Sequence, residues 1–380
     1  MRPLVLLFTF IRFLSSTAFR MMYPFLPVFR DGLGVSVPVL TQAIGARSLF
    51  AGLLGPFFAS LSDSRGRRQG MLVGIVLFLA GSVSVVIWPT FNGLILAMML
   101  TILGKVTFDP SIQAFIGDRV PYEQRSKILT LTELSWSGAY IFGIPMVGWA
   151  IARAGWVAPF PLLGALVLVS AIFLLKMLPR DPAIEREPNA TRKNFQRILS
   201  SRTAIMALIF IGFIALANEI INLTFGLWME ASFGLQLAAL GGAAAILGIS
   251  ELGGEGLVAL ITDRLGKRRA ILMGVLANSL AVALLPLTSN SITFALAALF
   301  LFYFSFEFTI VSSIPLMTEV MPSARATMMA GFFSTASLGR AAASWFTPDL
   351  YAAGFSLAIV AVIAANLISL IFLMQLDVRQ

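Results

Sequence analysis

With 58% hydrophobic and only 12% charged residues among its 380, the chain has about half the charge of an ordinary soluble domain, which excludes a fold that is mostly exposed to water. It contains no Cys and no His, so disulfides are excluded, the residue types that dominate zinc and transition-metal sites are missing, and any proton chemistry must use carboxylates. The net charge of +9 is no nucleic-acid footprint, because the bases sit in short gaps between apolar runs and not together on one face; the lipid bilayer is the expected partner, with no metal and no cofactor.

A helix needs roughly 20 apolar residues to cross a bilayer, and on that ruler twelve segments are predicted. Six run from 4 to 29, 38 to 61, 69 to 88, 91 to 117, 126 to 151 and 156 to 178. Six more run from 203 to 229, 236 to 262, 269 to 288, 291 to 318, 325 to 347 and 351 to 376. The opening MRPLVLLFTFIRFLSSTAF imitates a signal peptide, but Arg12 interrupts it and the apolar run resumes through Tyr23, Pro24 and Phe25, so one uncleaved spanning helix is expected. Tyr23, Pro24 and Pro27 mark a place near its outer end where the hydrogen bonding can break. The longest gap, 179 to 202, is polar and contains Pro182 and Pro188; it reads as a linker between an N-terminal domain, 1 to 178, and a C-terminal domain, 203 to 380.

Sliding the chain by 200 places Phe10, Ile11 and Phe13 on Phe210, Ile211 and Phe213, Gly34 on Gly234, and Asp63, Gly66 and Arg68 on Asp263, Gly266 and Arg268. Asp118, Pro121 and Arg125 after the fourth segment answer Glu319, Pro322 and Arg325 after the tenth. Matched charged loops are costly to obtain by chance in such a composition, so a duplicated six-helix unit is expected. Twenty Lys and Arg lie in the termini and the even-numbered gaps, against two, Arg30 and Arg153, in the opposite gaps. Positive residues stay on the cytoplasmic face, which predicts that both termini and the linker are cytoplasmic in a multi-pass protein of the plasma (inner) membrane.

The repeated loop reads SDSRGRRQG at 62 to 70 and TDRLGKRRA at 262 to 270. In each copy a Gly permits a tight turn between two spanning helices and the bases hold the loop inside. At these residues the sequence resembles the major facilitator superfamily of secondary transporters, whose signature is close to G-x-x-x-D-R-x-G-R-R. Asp63, Gly66, Arg67 and Arg68 match it in the first copy, and Asp263, Arg264, Gly266, Lys267 and Arg268 in the second; Ala59 and Ala259 replace the leading Gly, and Ser64 the first Arg. The resemblance covers essentially the whole chain and implies an all-α integral membrane fold of two pseudo-symmetric six-helix bundles. It also implies that the loop, with Arg65 and with Asp118 at the end of the fourth segment, takes part in gating. Within the superfamily the chain is most like the twelve-helix drug:proton antiporters. Their Arg early in the fourth helix falls here at Met98, and their fifth-helix pattern keeps only Pro145 and Gly148.

Eleven charged residues lie inside predicted spans: Arg12, Arg20, Arg47, Lys105, Asp109, Glu133, Glu219, Glu251, Glu255, Glu307 and Arg340. An ionised group at mid-bilayer costs about 2.5 to 3.5 kcal/mol even on the lenient insertion scale, so these must face one another or water. Segments 3, 6, 9 and 12 carry none, and the resemblance makes those four the lipid-facing helices. At about 1.5 Å per residue, Arg12, Asp109, Glu133 and Glu255 form one depth class, Lys105, Glu251 and Glu307 a deeper one, and Arg20, Arg47, Glu219 and Arg340 the deepest. The last two classes bracket the midplane, where secondary transporters place substrate and coupling-ion sites.

Lys105 and Asp109 stand one turn apart as an ion pair or as substrate contacts, and Arg12 at Asp109's depth can neutralise it. Glu251 and Glu255 share a helix face, where repulsion and loss of water both favour holding a proton; otherwise they pair with Arg47 or Arg340. Glu219, between Asn218 and Asn222, and Glu307 lack a base in their own segments and are the preferred coupling carboxylates. Arg20 reads as an unpaired cavity cation, and the aromatic run FLFYFSFEF, 300 to 308, as divided between lipid and cavity.

These residues predict a monomeric transporter that moves a small organic, amphipathic solute by alternating access, with proton-coupled export favoured. Alternatives are uptake of a sugar or organic anion, and movement of a lipid. An integral membrane enzyme would need a catalytic cluster in a sizeable interfacial loop, and no catalytic residue is assigned.

Overall fold

The structure is a computed structural model describing residues 2–179, 196–234, 237–321 and 325–376. Among these, all regular structure is helical. The helices are α1 (Arg2–Arg20), α2 (Leu26–Leu33), α3 (Val37–Arg65), α4 (Arg67–Ile87), α5 (Phe91–Arg119), α6 (Tyr122–Gly138), α7 (Ile144–Ala154) and α8 (Pro159–Met177). After the linker come α9 (Arg202–Phe233), α10 (Leu237–Leu265), α11 (Lys267–Leu284), α12 (Ile292–Val320), α13 (Arg325–Ala353) and α14 (Phe355–Met374). Eleven helical spans among the described residues are long and apolar enough to cross a membrane. The one predicted segment not among them, the eleventh, is α13, 29 residues long, whose small and hydroxyl residues together with Arg325, Arg340 and Asp349 make it too polar to join them.

Two predicted single helices are interrupted. The first segment breaks after Arg20 into a turn at 21–25 and resumes as α2, because Pro24 offers no N–H and restricts Tyr23 before it. The fifth segment passes through a π-helical turn, Ala139–Gly143, between α6 and α7. Such turns insert one extra residue into a helix. Here it lies against α1, where a Cβ on Gly143 would meet Thr17 Oγ1 at 2.1 Å.

The chain forms two compact units, residues 1–186 with 236–248, and residues 187–235 with 249–380. The first part of α10 thus packs with the first unit: a Cβ on Gly248 would lie 2.7 Å from Ser137 O. Within the first unit α4 packs on α5 and α8, and α1 on α5, α6 and α8. Gly74 and Gly104 set the α4–α5 spacing, since a Cβ on either would come within 2.8 Å or 2.6 Å of the other's carbonyl oxygen. Small residues let membrane helices approach this closely.

Within the second unit α9 packs on α13 and α14, and α11 on α12 and α14, around Phe210, Ile214, Ile271, Val275, Met317 and Phe332. Gly339 touches the backbone of α9, its Cβ position 2.1 Å from Gly212 O. A buried amide network adds to this core: Asn366 donates to Asn278 Oδ1 (2.9 Å), and Asn278 to Phe302 O (2.9 Å).

The sequence repeat recurs in the backbone. Positive φ occurs at Gly34, Gly66 and Gly155 in the first half and at Gly234, Gly266 and Gly354 in the second. Gly34 and Gly234 are left-handed C-caps with φ 64° and 60°, and Gly66 and Gly266 precede the first residues of α4 and α11. α4, α8, α11 and α14, the segments without embedded charge, each expose large apolar side chains, among them Val76, Phe173, Leu280 and Ile371.

Candidate functional site

In the first unit, three residues spaced one turn apart on α1, Arg12, Ser16 and Arg20, face α5 and α6. Arg12 binds Glu133 bidentately, Nη1 donating to Oε1 at 2.7 Å and Nη2 to Oε2 at 3.0 Å, with a further bond to Thr132 Oγ1 at 3.1 Å. Its Nε also faces Asp109 Oδ1 at 3.4 Å. Lys105 donates to Asp109 Oδ2 at 2.8 Å and to Ser16 Oγ at 3.0 Å. Gln113 donates to Glu133 Oε1 at 3.4 Å. The exposure of these side chains falls from 43% at Glu133 to 16% at Asp109 and 12% at Lys105, so the network runs inward from a half-exposed carboxylate to a buried ammonium.

Arg20 is not the unpaired cation expected from the sequence. Its guanidinium lies 3.8 Å from the Trp136 ring centroid and 3.9 Å from that of Tyr140, and Nη1 donates to Trp136 O at 3.1 Å. Two rings one turn apart, at the end of α6 and in the π-helical turn, hold it by the negative faces of their π-systems. Arg47 donates to Phe19 O at 2.9 Å and to Tyr23 Oη at 3.1 Å.

In the second unit, Glu219 is fully buried on α9. Asn222 donates to its Oε2 at 3.2 Å and to Asn218 Oδ1 at 2.9 Å, while Tyr303 Oη donates to Asn222 Oδ1 at 2.7 Å. Arg340 Nε stands 3.9 Å from Glu219 Oε2. The absence of a base in Glu219's predicted segment is thus made good from α13, where contact between Gly339 and Gly212 brings the two helices together. Glu251 and Glu307 are both buried, and Gly254 packs its backbone against Phe304 and Glu307; Glu255, one turn beyond Glu251, is partly buried. In the aromatic run, Phe302, Tyr303, Phe306 and Phe308 are buried, whereas Phe300 and Phe304 are partly exposed.

The duplicated loops make parallel contacts. Arg67 Nε donates to Asp118 Oδ2 at 2.9 Å, and Lys267 pairs with Glu319, so each loop is tied to the end of the second helix after it. Arg268 caps Met374 O; the side chains of Asp63, Arg65 and Asp263 lie outside the described residues.

The Major Facilitator Superfamily model matches residues 8–344. The chain belongs to that superfamily. It is 23% identical over 323 residues to the uncharacterized MFS-type transporter YceJ of Bacillus subtilis, covering 85% of this chain and 82% of that one. It is 30% identical over 308 residues to the multidrug resistance protein MdtG of Yersinia enterocolitica, covering 72% and 68%. The fold is that of a bacterial homolog of the human lysosomal transporter Spinster in its inward-facing, unoccupied conformation, with TM-score 0.79 at 15% identity over 98% of this chain and 95% of that one. A POT family transporter in complex with 5-aminolevulinic acid superposes equally well, with TM-score 0.79 at 15% identity over 98% and 94%.

As a member of the superfamily the chain is a multi-pass membrane transporter for small molecules. Tyr303, Ser16 and Thr132 bond to candidate residues and are not revealed by the charged positions alone. Tyr303 had a signal, as the one phenol in the aromatic run; Ser16 and Thr132 had none, because aliphatic hydroxyls are common in spanning helices.

Proposed function

We propose that this transporter exports a small organic, amphipathic compound in exchange for protons, by alternating access, as a monomer in the plasma membrane with both termini cytoplasmic. The observation that carries the reading is the Glu219–Arg340 pair: a fully buried carboxylate within 3.9 Å of one guanidinium and bonded to Asn222. Taking up a proton cancels the charge of Glu219 and frees Arg340, so proton binding changes what holds α9 to α13. Glu307 and Glu251 are further carriers in the same unit. Asp109 and Glu133 can also exchange protons, but both are held by bases, and with Arg12 and Lys105 they serve better as a polar lining. Similarity to a multidrug resistance protein supports export over uptake, and superfamily membership supports transport over catalysis.

Transport of an organic anion is the second reading. Among the described residues, the first unit embeds Arg12, Arg20, Arg47 and Lys105 against Asp109 and Glu133 alone, a surplus of positive charge suited to an anionic group.

The test is flux in proteoliposomes under an imposed pH gradient, with panels of amphipathic cations and organic anions, beside substrate binding. Glu219→Gln is expected to bind substrate and lose the gradient dependence. Unchanged gradient dependence in both Glu219→Gln and Glu307→Gln would move coupling to Glu251 and Asp109; wild-type flux indifferent to the gradient would sink proton exchange.

A further inference from the structure

Arg47 is a second kind of buried cation. Its residue is only 2% exposed, and its charge is met by the Phe19 carbonyl, the Tyr23 hydroxyl and the Phe19 ring, 4.0 Å below the guanidinium carbon. These are neutral dipoles. No described carboxylate of its own unit pairs with it, because both acids embedded there are engaged by Arg12 and Lys105. An arginine cannot shed its proton in a protein, and a buried charge normally has a partner of opposite sign. The Nε of Arg47, buried like the rest of the side chain, finds no hydrogen-bond partner among the described residues.

Arg47 also lines a cavity of about 10 Å³, with Met21, Met22, Met98, Ser82 and Thr101 around it. That is close to the least space that admits one water-sized particle, too small for a carboxylate or phosphate group. The hydroxyls of Ser82 and Thr101 now donate to the carbonyls of Phe78 (3.1 Å) and Ala97 (2.7 Å) and can rotate toward a new acceptor. Three of the walls are methionines, whose unbranched thioether chains yield to a slightly larger occupant.

We propose that this cavity binds a single monatomic anion, chloride under ordinary conditions, held by Arg47 and by the hydroxyls of Ser82 and Thr101. The anion supplies the missing counter-charge. Because Arg47 also holds Phe19 and Tyr23, on either side of the break after α1, occupancy fixes that break against α3. Water fits the same space but neutralises nothing. The site is independent of what the transporter carries and of proton coupling.

The experiment follows thermal unfolding of the purified full chain in detergent, replacing gluconate by chloride or bromide at constant ionic strength. The expected result is a saturable rise of a few degrees in apparent Tm with either halide. That rise should be absent in Arg47→Gln and should need about tenfold more chloride in Thr101→Val, which keeps the side-chain shape and removes one bond to a charged group. Equal melting in gluconate and chloride overturns the proposal. So does a halide effect of unchanged midpoint in Thr101→Val, which decides the matter alone if Arg47→Gln does not fold. Equilibrium dialysis with radioactive chloride should give one saturable site per chain in the wild type; none would also overturn it.

Discussion

The Lys105–Asp109 pair predicts an asymmetry that thermodynamics can read. Asp109 has two bases, Lys105 at 2.8 Å and Arg12 at 3.4 Å, whereas Lys105 has one acid and the neutral Ser16 Oγ. Replacing the acid therefore leaves a buried ammonium, while replacing the ammonium leaves a carboxylate that Arg12 still faces. Removing one partner of a buried pair costs about 3 to 5 kcal/mol, and the neutral bond to Ser16 puts Asp109→Leu at the lower end, about 3 kcal/mol. Lys105→Met should cost about 1.5 kcal/mol, the loss of one hydrogen bond to a charged group. The double variant replaces the pair by apolar residues, a change that is often neutral, so it should fall within about 1 kcal/mol of the wild type. Unfolding in mixed micelles by titration with a denaturing detergent, run on all four proteins, gives the coupling energy directly. Additive costs in the double variant would refute the reasoning, and so would a Lys105→Met variant as unstable as Asp109→Leu.

Cysteines placed at 190 and 31 in this cysteine-free chain should report opposite sides, an impermeant thiol reagent outside intact cells labelling position 31 only. Asp63→Asn should abolish turnover and spare substrate binding if the first loop gates the cycle; normal flux would reduce the loop to a topology signal, since losing an acid beside three arginines strengthens that signal. Gly339→Val must push α13 off α9, because a Cβ there comes 2.1 Å from Gly212 O; it should loosen the Glu219–Arg340 pair and reduce gradient-driven flux about as much as Arg340→Gln, and wild-type flux in Gly339→Val would contradict that link.

Depth along a helix turned out to be the most informative reading of the sequence. Arg12, Asp109 and Glu133, assigned to one depth from their distances to helix ends, share one network, and Glu219 and Arg340, assigned to another, form a pair. A residue's height is fixed by counting, at about 1.5 Å per position. Its azimuth is not, because the rotation of one helix against its neighbour depends on packing that no single segment encodes. That is why Arg20 reads as solitary in the sequence: ring faces are among its partners, and the π-helical turn that presents Tyr140 shifts the phase of the fifth segment. The break after Arg20 was legible because Pro24 has a local steric consequence. The role of Gly339 was not, since a glycine at a backbone contact looks like any other of the 31 in the chain.

The two halves share a scaffold and differ in chemistry, and the same register shows both. A shift of 200 maps the α4–α5 contact of Gly74 with Phe108 onto that of Gly274 with Phe308 in α11 and α12, so the packing that fixes helix spacing is conserved within the molecule. The same shift maps Lys105 and Asp109 onto Ser305 and Thr309, whose hydroxyls bond to carbonyls of their own helix, and Arg47 onto Leu247. In the other direction Glu219 falls on Phe19, whose carbonyl holds Arg47. Glycine contacts are intolerant of change because any side chain collides, whereas a charge inside a bundle can be exchanged whenever its partner is exchanged with it. Among the described residues the first unit therefore embeds a surplus of bases and the second, with Glu219, Glu251, Glu255 and Glu307 against Arg340, a surplus of acids. Because embedded charge is tolerated only where it is met, a charged position in either half can change only together with what meets it, while the glycine contacts stay fixed.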